Sequence, residues 1–195
     1  MRHIITSLLL TGILITAGCS RHGGSAATEA AADPAADPIA ILDNTVAHHD
    51  EYTARKLRTI DTLRAALNDV TDDARRFEAE YRLFQEFRTF SMDTTLTLAR
   101  ELVTTATRMG NDSLIWLSHI MEVEALKGLG EYSAALQLLD RIPQPWKQTF
   151  RERILNRYVS IYYSLSEYPP TPEAGERYFN KLDAYRDSVS MFVGR

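Results

Sequence analysis

The sequence predicts an all-α protein of about seven helices folded as antiparallel hairpins. Three observations carry this reading. From Ile39 onward, apolar residues recur at steps of three and four almost without interruption. No segment sustains the period-two alternation of a strand. The breakers, 9 Gly and 7 Pro in 195 residues, concentrate outside the long periodic segments. A hydrophobic content of 45% and a charged content of 25% suffice for one ordinary domain with its own core.

The first helix is expected over 39–70, where Ile39, Leu42, Val46, His49, Thr53, Lys56, Ile60, Leu63, Leu67 and Val70 form one seam. Its polar middle favours an amphipathic helix packed on its neighbours over a long homodimeric coiled coil. Thr71 with Asp72 and Asp73 supplies a cap and acids for the next helix, whose stripe is Phe77, Tyr81 and Phe84, with Phe87 and Phe90 beside it. "SMDTT" interrupts, and a third helix carries Leu96, Ala99, Leu102, Val103, Ala106 and Met109 until Gly110-Asn111 stops it. A fourth runs from Asp112 to Leu129. A fifth follows Gly130, with Tyr132, Ala135, Leu136 and Leu139. "IPQPW" closes that element, and Pro145 suits the first turn of a sixth helix bearing Trp146, Phe150, Ile154, Tyr158, Ile161 and Leu165. After "YPPTPE", Thr171 caps and Pro172 enters the last helix, striped by Tyr178, Leu182, Tyr185, Val189 and Phe192.

The N-terminal end reads differently. A short basic start (Arg2, His3) precedes the apolar run "IITSLLLTGILI", which is shorter than the roughly 20 residues a membrane span needs. The only cysteine, Cys19, follows the small residues Ala17 and Gly18. This order resembles a bacterial lipoprotein signal, in which the cysteine is acylated and becomes the mature N-terminus. Thr16 departs from that pattern, in which an aliphatic residue usually holds this position. Cleavage by ordinary signal peptidase, leaving Cys19 a free thiol, and an uncleaved anchor with an incidental cysteine are the alternatives. Several acyl chains hold a protein on a membrane stably where one chain is marginal. One cysteine forms no intramolecular disulfide, so the fold must rest on packing. The expected organisation is a signal peptide over 1–19, a flexible tether over 20–38 and a helical domain over 39–195. The tether "SRHGGSAATEAAADPAADP" is too poor in large apolar residues to fold and spans about 25 Å as a coil.

Net charge is −4. Cleavage before Cys19 would remove Arg2 and leave 21 basic against 26 acidic residues, −5. Such a balance argues against a nucleic-acid partner, whose footprint would be basic.

The helix starts near Asp93 and Glu131 lie 38 residues apart, which invites a repeat reading. "GEYSAALQLL", with Gly130, Tyr132, Ala135 and Leu139, resembles one half of a tetratricopeptide repeat. The other half departs: the positions expected to hold Trp, Leu, Gly and Tyr are His119, Glu122, Val123 and Leu126. The resemblance implies a right-handed solenoid in which small Ala135 lets two helices approach closely.

A wider resemblance covers most of the chain after Ile39. The "LD-x-T" opening, the run Tyr52, Lys56, Ile60, Asp61 and Leu63, the turn from Phe90 to Asp93, and "YFNKLDAYRDSV" are similar to a domain of unknown function. That domain forms the N-terminal, tetratricopeptide-like part of certain membrane-bound regulators in Gram-negative anaerobes. The resemblance implies an extracytoplasmic protein-binding or sensing role.

Little in the sequence carries chemistry. Adjacent residues of His48-His49-Asp50-Glu51 point about 100° apart on a helix and do not converge on one ion. His119 and Glu122 share a face without a second histidine at zinc-protease spacing, which reads as a core or rim hydrogen bond. "GLGEYS" lacks the lysine and preceding strand of a phosphate loop. No catalytic residue, metal site or cofactor is therefore expected. Trp116, Trp146, Tyr158 and Tyr162, with Tyr163 nearby, line a possible binding groove. The alternative for these aromatics is simple core packing.

Two functions follow. The first is a lipid-anchored, non-catalytic interaction module in the Gram-negative cell envelope, periplasmic or surface-exposed, that meets an unidentified envelope protein or peptide. The second is the N-terminal sensor part, or a fragment, of a membrane-bound transcriptional regulator. A purely structural envelope protein is a third, weaker possibility.

Overall fold

The computed structural model of the protein describes residues 37–193, and all regular structure among them is helical. The expected signal peptide with Cys19, and the expected tether up to residue 36, lie outside the described residues. The chain divides into two compact units between Thr45 and Val46. Helix α1 (Pro38–Ala47) begins in the first and ends just inside the second; it opens one residue ahead of Ile39, and the Asp37 carboxylate accepts from the Ile39 N–H at 3.0 Å. Ile39, Ile41 and Leu42 are exposed there.

The second unit holds α2 (His49–Asn68), α3 (Asp73–Phe87), α4 (Met92–Arg108), α5 (Asp112–Gly128), α6 (Tyr132–Arg141), α7 (Gln144–Thr149), α8 (Arg151–Glu167) and α9 (Pro172–Val193). The described residues thus form nine helices rather than seven, because two expected helices are each broken once. The first breaks at His48, whose backbone turns out of helical angles at φ −105° and ψ 15°. The break falls where the seam turns polar, so little apolar burial favours continuity. The second breaks at Phe150, at φ −106° and ψ 25°, which separates α7 from α8. Pro145 lies in the first turn of α7, where its missing N–H leaves no helical bond unmade.

The caps follow the chemistry of the linkers. Asp72, rather than Thr71, caps α3 by accepting from the Arg75 N–H at 2.9 Å. Ser91 caps α4 and Asn111 caps α5. The Thr171 hydroxyl accepts from the Ala174 N–H at 3.2 Å at the head of α9. Gly110 and Gly130 end their helices at φ 63° and 80°, the left-handed region in which a side chain is strained.

Two cores result. Around α2, α3 and α4, Ile60, Leu83, Phe84, Phe87, Leu98, Ala99 and Leu102 pack with Met121 of α5. Of the aromatics expected on α3, Phe84 and Phe87 are buried while Phe90 is half exposed. The second core gathers residues of α5, α6 and α8, among them Ile120, Val123, Ala135, Leu139, Ile154, Tyr158 and Ile161. Successive helices pack as hairpins: α3 on α4, α5 on α6 and α8 on α9, with α4 on α5 joining the pairs. Close approach rests on small residues. Ala135 of the repeat half-motif is fully buried. At Gly128 an added Cβ would stand 2.5 Å from Met92 Sδ, so a side chain there would require the flexible Met92 side chain to move aside.

Candidate functional site

The richest concave surface lies at the C-terminal end of the second unit. There α6, α7, α8 and α9 enclose a cleft of about 500 Å³. Ile154, Leu155, Tyr158 and Tyr185 give it an apolar and aromatic lining. Asp140, Gln144, Lys147, Gln148 and Arg151 add polar groups of both signs. Ile154 and Tyr158 of α8 belong to both the second core and the cleft wall, while Arg151 and Leu155, beside them on the helix, face the cleft.

A ladder of tyrosines joins α8 to α9. The rings of Tyr158 and Tyr185 stack in parallel, with centroids 4.5 Å apart and planes 2° apart. Tyr162 stacks on Tyr185 at 5.7 Å and leans on Tyr178 at 6.3 Å. The Tyr158 hydroxyl donates to Asp140 Oδ1 at 2.7 Å. Burial, followed by this hydrogen bond and the aspartate's charge, holds the Tyr158 phenol far above its ordinary pKa. Burial also raises the phenols of Tyr162 and Tyr185, again with help from Asp140. These phenols therefore stay neutral, as donors and stacking surfaces. Lys147 Nζ donates to the Asp140 carbonyl at 3.0 Å and ties α7 to the end of α6.

The four aromatics expected to share a groove are divided by the structure. Tyr158 alone of the four lines the cleft. Trp146 packs against the second core and stacks on Phe150 at 6.1 Å. Trp116 also packs against that core, with its ring 5.3 Å from His119. Tyr162 lines a separate cleft of about 530 Å³ on α9, with Tyr178, Arg177, Asn180, Lys181 and Ala184. Tyr163 is exposed, and its hydroxyl donates to Glu167 at 2.7 Å. Sequence spacing does not single out Asp140, because its role depends on a neighbour 18 positions away. Tyr185 is legible there only as part of the α9 stripe.

Charged groups outside the cleft join successive helices. Lys56 of α2 pairs with Glu86 of α3. Glu124 of α5 accepts from two arginines: Arg88, at the end of α3, at 2.8 Å, and Arg157 of α8 at 2.6 Å. One carboxylate thereby ties three hairpins together. Burial pulls the Arg157 guanidinium down from its ordinary pKa, and Glu124 opposes that shift. Glu122 bonds His119 Nδ1 at 3.1 Å and Arg100 Nε at 3.0 Å. These two contacts, the histidine's first, hold its carboxyl below the usual range against the cost of burial. His119 and Glu122 thus form a part-buried hydrogen-bonded pair. His49 meets Asp50 at 3.1 Å with both side chains well exposed. Among the described residues no group of three His, Cys, Asp or Glu is placed to hold a metal ion, and no helix is long and apolar enough to cross a membrane.

Paired helices stacked on one another, with small residues at their contacts, define a tetratricopeptide-like helical-repeat protein. Within that class, residues 46–194 match the family described as the SusR N-terminal TPR domain, and the chain belongs to it. No curated protein and no solved structure matches the chain.

Proposed function

We propose that this chain is a non-catalytic protein- or peptide-interaction module that works as the N-terminal sensory region of a SusR-type regulator, with the α6–α9 cleft as its docking point. The family match over residues 46–194 carries the reading. Helical repeats present extended surfaces to partners. The cleft offers what a peptide needs: an aromatic lining for an apolar side chain, Gln144 and Gln148 for backbone amides, and Lys147 and Arg151 for an acidic residue. A photo-crosslinking residue at Gln148 in the full chain, expressed in its native cells, tests it. The expected result is a discrete adduct from Gln148 that a probe at exposed Arg58 does not give. Identical adducts from both positions, or none from either, would remove the cleft from consideration.

A second reading rests on Cys19. Its place directly after Ala17 and Gly18 supports acylation and a tether at the cell envelope, on the periplasmic or outer surface. Intact mass of the membrane-extracted protein beside Cys19→Ala decides it. A mass beginning at Cys19 plus acyl chains, with the variant lost from the membrane, supports the tether. An unmodified mass rejects it.

A further inference from the structure

The hairpin of α3 and α4 encloses a second cleft, of about 540 Å³, far more charged than the first. Asp73, Arg76 and Glu80 line it from α3; Glu101, Thr104, Thr105 and Arg108 line it from α4; Leu67 lines it from α2. These positions repeat at three and four residues, so each helix presents one polar stripe to the same space. Arg108 clasps Asp73 through Nε at 3.0 Å and Nη2 at 2.8 Å, and Nη2 also donates to the Thr105 hydroxyl at 3.1 Å. The Thr105 hydroxyl stands beside Glu80 and favours its ionised form. Arg76 Nη2 donates to the Val70 carbonyl at 2.8 Å, which fixes it at the edge.

This chain of contacts ends on an unpartnered atom. Glu80 is only 4% exposed, and its Oε2 is buried with no hydrogen-bond partner. Buried carboxylate oxygens are normally satisfied, so an orphan on a cleft wall marks a missing donor. The terminal torsion of a glutamate is soft, and Oε2 turns toward a donor in the cleft without moving α3.

We propose that the α3–α4 cleft binds a small primary ammonium compound, whose N–H groups donate to Glu80, Glu101 and the Thr104 hydroxyl. A compact ammonium carries three donors in a tetrahedral array, which suits three separated acceptors. A free anion is disfavoured beside a buried carboxyl. A metal ion is disfavoured because the carboxylates here are not grouped to hold one. Arg76, at the edge, is placed to take the carboxylate of an amino acid, whereas a diamine would use the ammonium subsite alone. This inference is independent of the partner-docking reading, since the clefts share no residue.

The site also dictates a pH dependence. The charged groups facing Glu80 in the cleft are Asp73 and Arg76 of α3 and Glu101 and Arg108 of α4, while α2 contributes only Leu67. Burial, and then Glu101, raise the Glu80 pKa, against the Thr105 hydroxyl and the two arginines. An ammonium ligand favours the ionised carboxylate, so binding releases a proton and strengthens as pH rises through the Glu80 titration.

Calorimetric titration of the full chain with diaminobutane, L-alanine and tetramethylammonium provides the test. Saturable binding of diaminobutane or L-alanine is expected, and tetramethylammonium, which has no N–H, should not compete. Binding of L-alanine in preference to diaminobutane assigns Arg76 its carboxylate role; the reverse order assigns the ammonium subsite alone. Glu80→Gln should weaken binding by about 10-fold or more and remove its pH dependence, as expected for losing a charge-assisted bond. Exposed Glu101→Gln should weaken it several-fold with an unchanged melting temperature, which separates binding from folding. Absence of saturable binding by either amine, equal binding of tetramethylammonium, or wild-type affinity in both variants would overturn the assignment.

Discussion

The α3–α4 and α8–α9 hairpins bury polar groups in opposite ways. Between α8 and α9, the polar atoms are phenols: their rings stack, and the most deeply placed hydroxyl, that of Tyr158, finds Asp140 at 2.7 Å. Between α3 and α4, the polar atoms belong to charged side chains, and the most deeply placed one, Glu80, is left with an unpartnered oxygen. A buried phenol with a partner costs little and adds apolar area, whereas a buried carboxyl without one costs its desolvation. The first arrangement holds a hairpin shut. The second stores an unmet demand, and the Phe84 core beside it must carry the stability of that half.

Phe84→Ala should therefore have the largest effect. Its ring is 1% exposed among Ile60, Leu83 and Leu102, and truncation should cost about 3–5 kcal/mol. Chemical denaturation reads this directly. A loss below about 1 kcal/mol would mean that the N-terminal core is not the support described.

Tyr158→Phe should cost less, roughly 1–2 kcal/mol, because the ring stack survives and only the bond to Asp140 goes. Asp140 is exposed and its unpaired carboxylate stays solvated, so adding Asp140→Asn to the Tyr158→Phe variant should cost little more than Tyr158→Phe alone. Additive losses across that double-mutant cycle would show that the pair is not coupled.

The smallest effect concerns pH. Glu80 holds its proton to higher pH in the folded chain than in the unfolded one, so its contribution to stability declines as pH rises from the ordinary 4.5 through the raised folded value. Glu122 runs the other way: its contribution is present above 4.5 and is lost as pH falls through its lowered folded value. Melting temperature against pH should accordingly show a shallow maximum on the acidic side of neutrality. Glu80→Gln should flatten the decline above it and leave the acid limb unchanged. A wild-type curve that rises steadily to neutral pH would refute the assignment.

Much of the fold was legible in the sequence because it depends on period and punctuation. The stripes of α3, α4, α6, α8 and α9 all bury residues where the spacing places them, and Gly110, Gly130, Pro145 and Thr171 act as their chemistry requires. The breaks at His48 and Phe150 were not legible. Neither carries Gly or Pro. The first falls where the apolar seam turns polar. The second falls inside an apolar stripe in which Trp146, Phe150 and Ile154 all pack on one core, so spacing gave no sign of it. The sites were less visible than the fold. Asp140 meets Tyr158, Glu124 meets Arg88 and Arg157, and Glu80 meets Thr105 only through pairings distant in sequence, which no local pattern encodes. The four aromatics of the expected groove obey helical spacing, and that spacing alone did not decide which of them would face solvent.

The parallel stack of Tyr158 on Tyr185 has an optical consequence. Two phenol chromophores held face to face at 4.5 Å in a chiral setting couple their transition dipoles. Near-ultraviolet circular dichroism then reports fixed side-chain packing across α8 and α9 without any added label. Ligands at the neighbouring cleft that separate the two rings would register as a change in that signal, and ligands at the α3–α4 cleft would leave it in place.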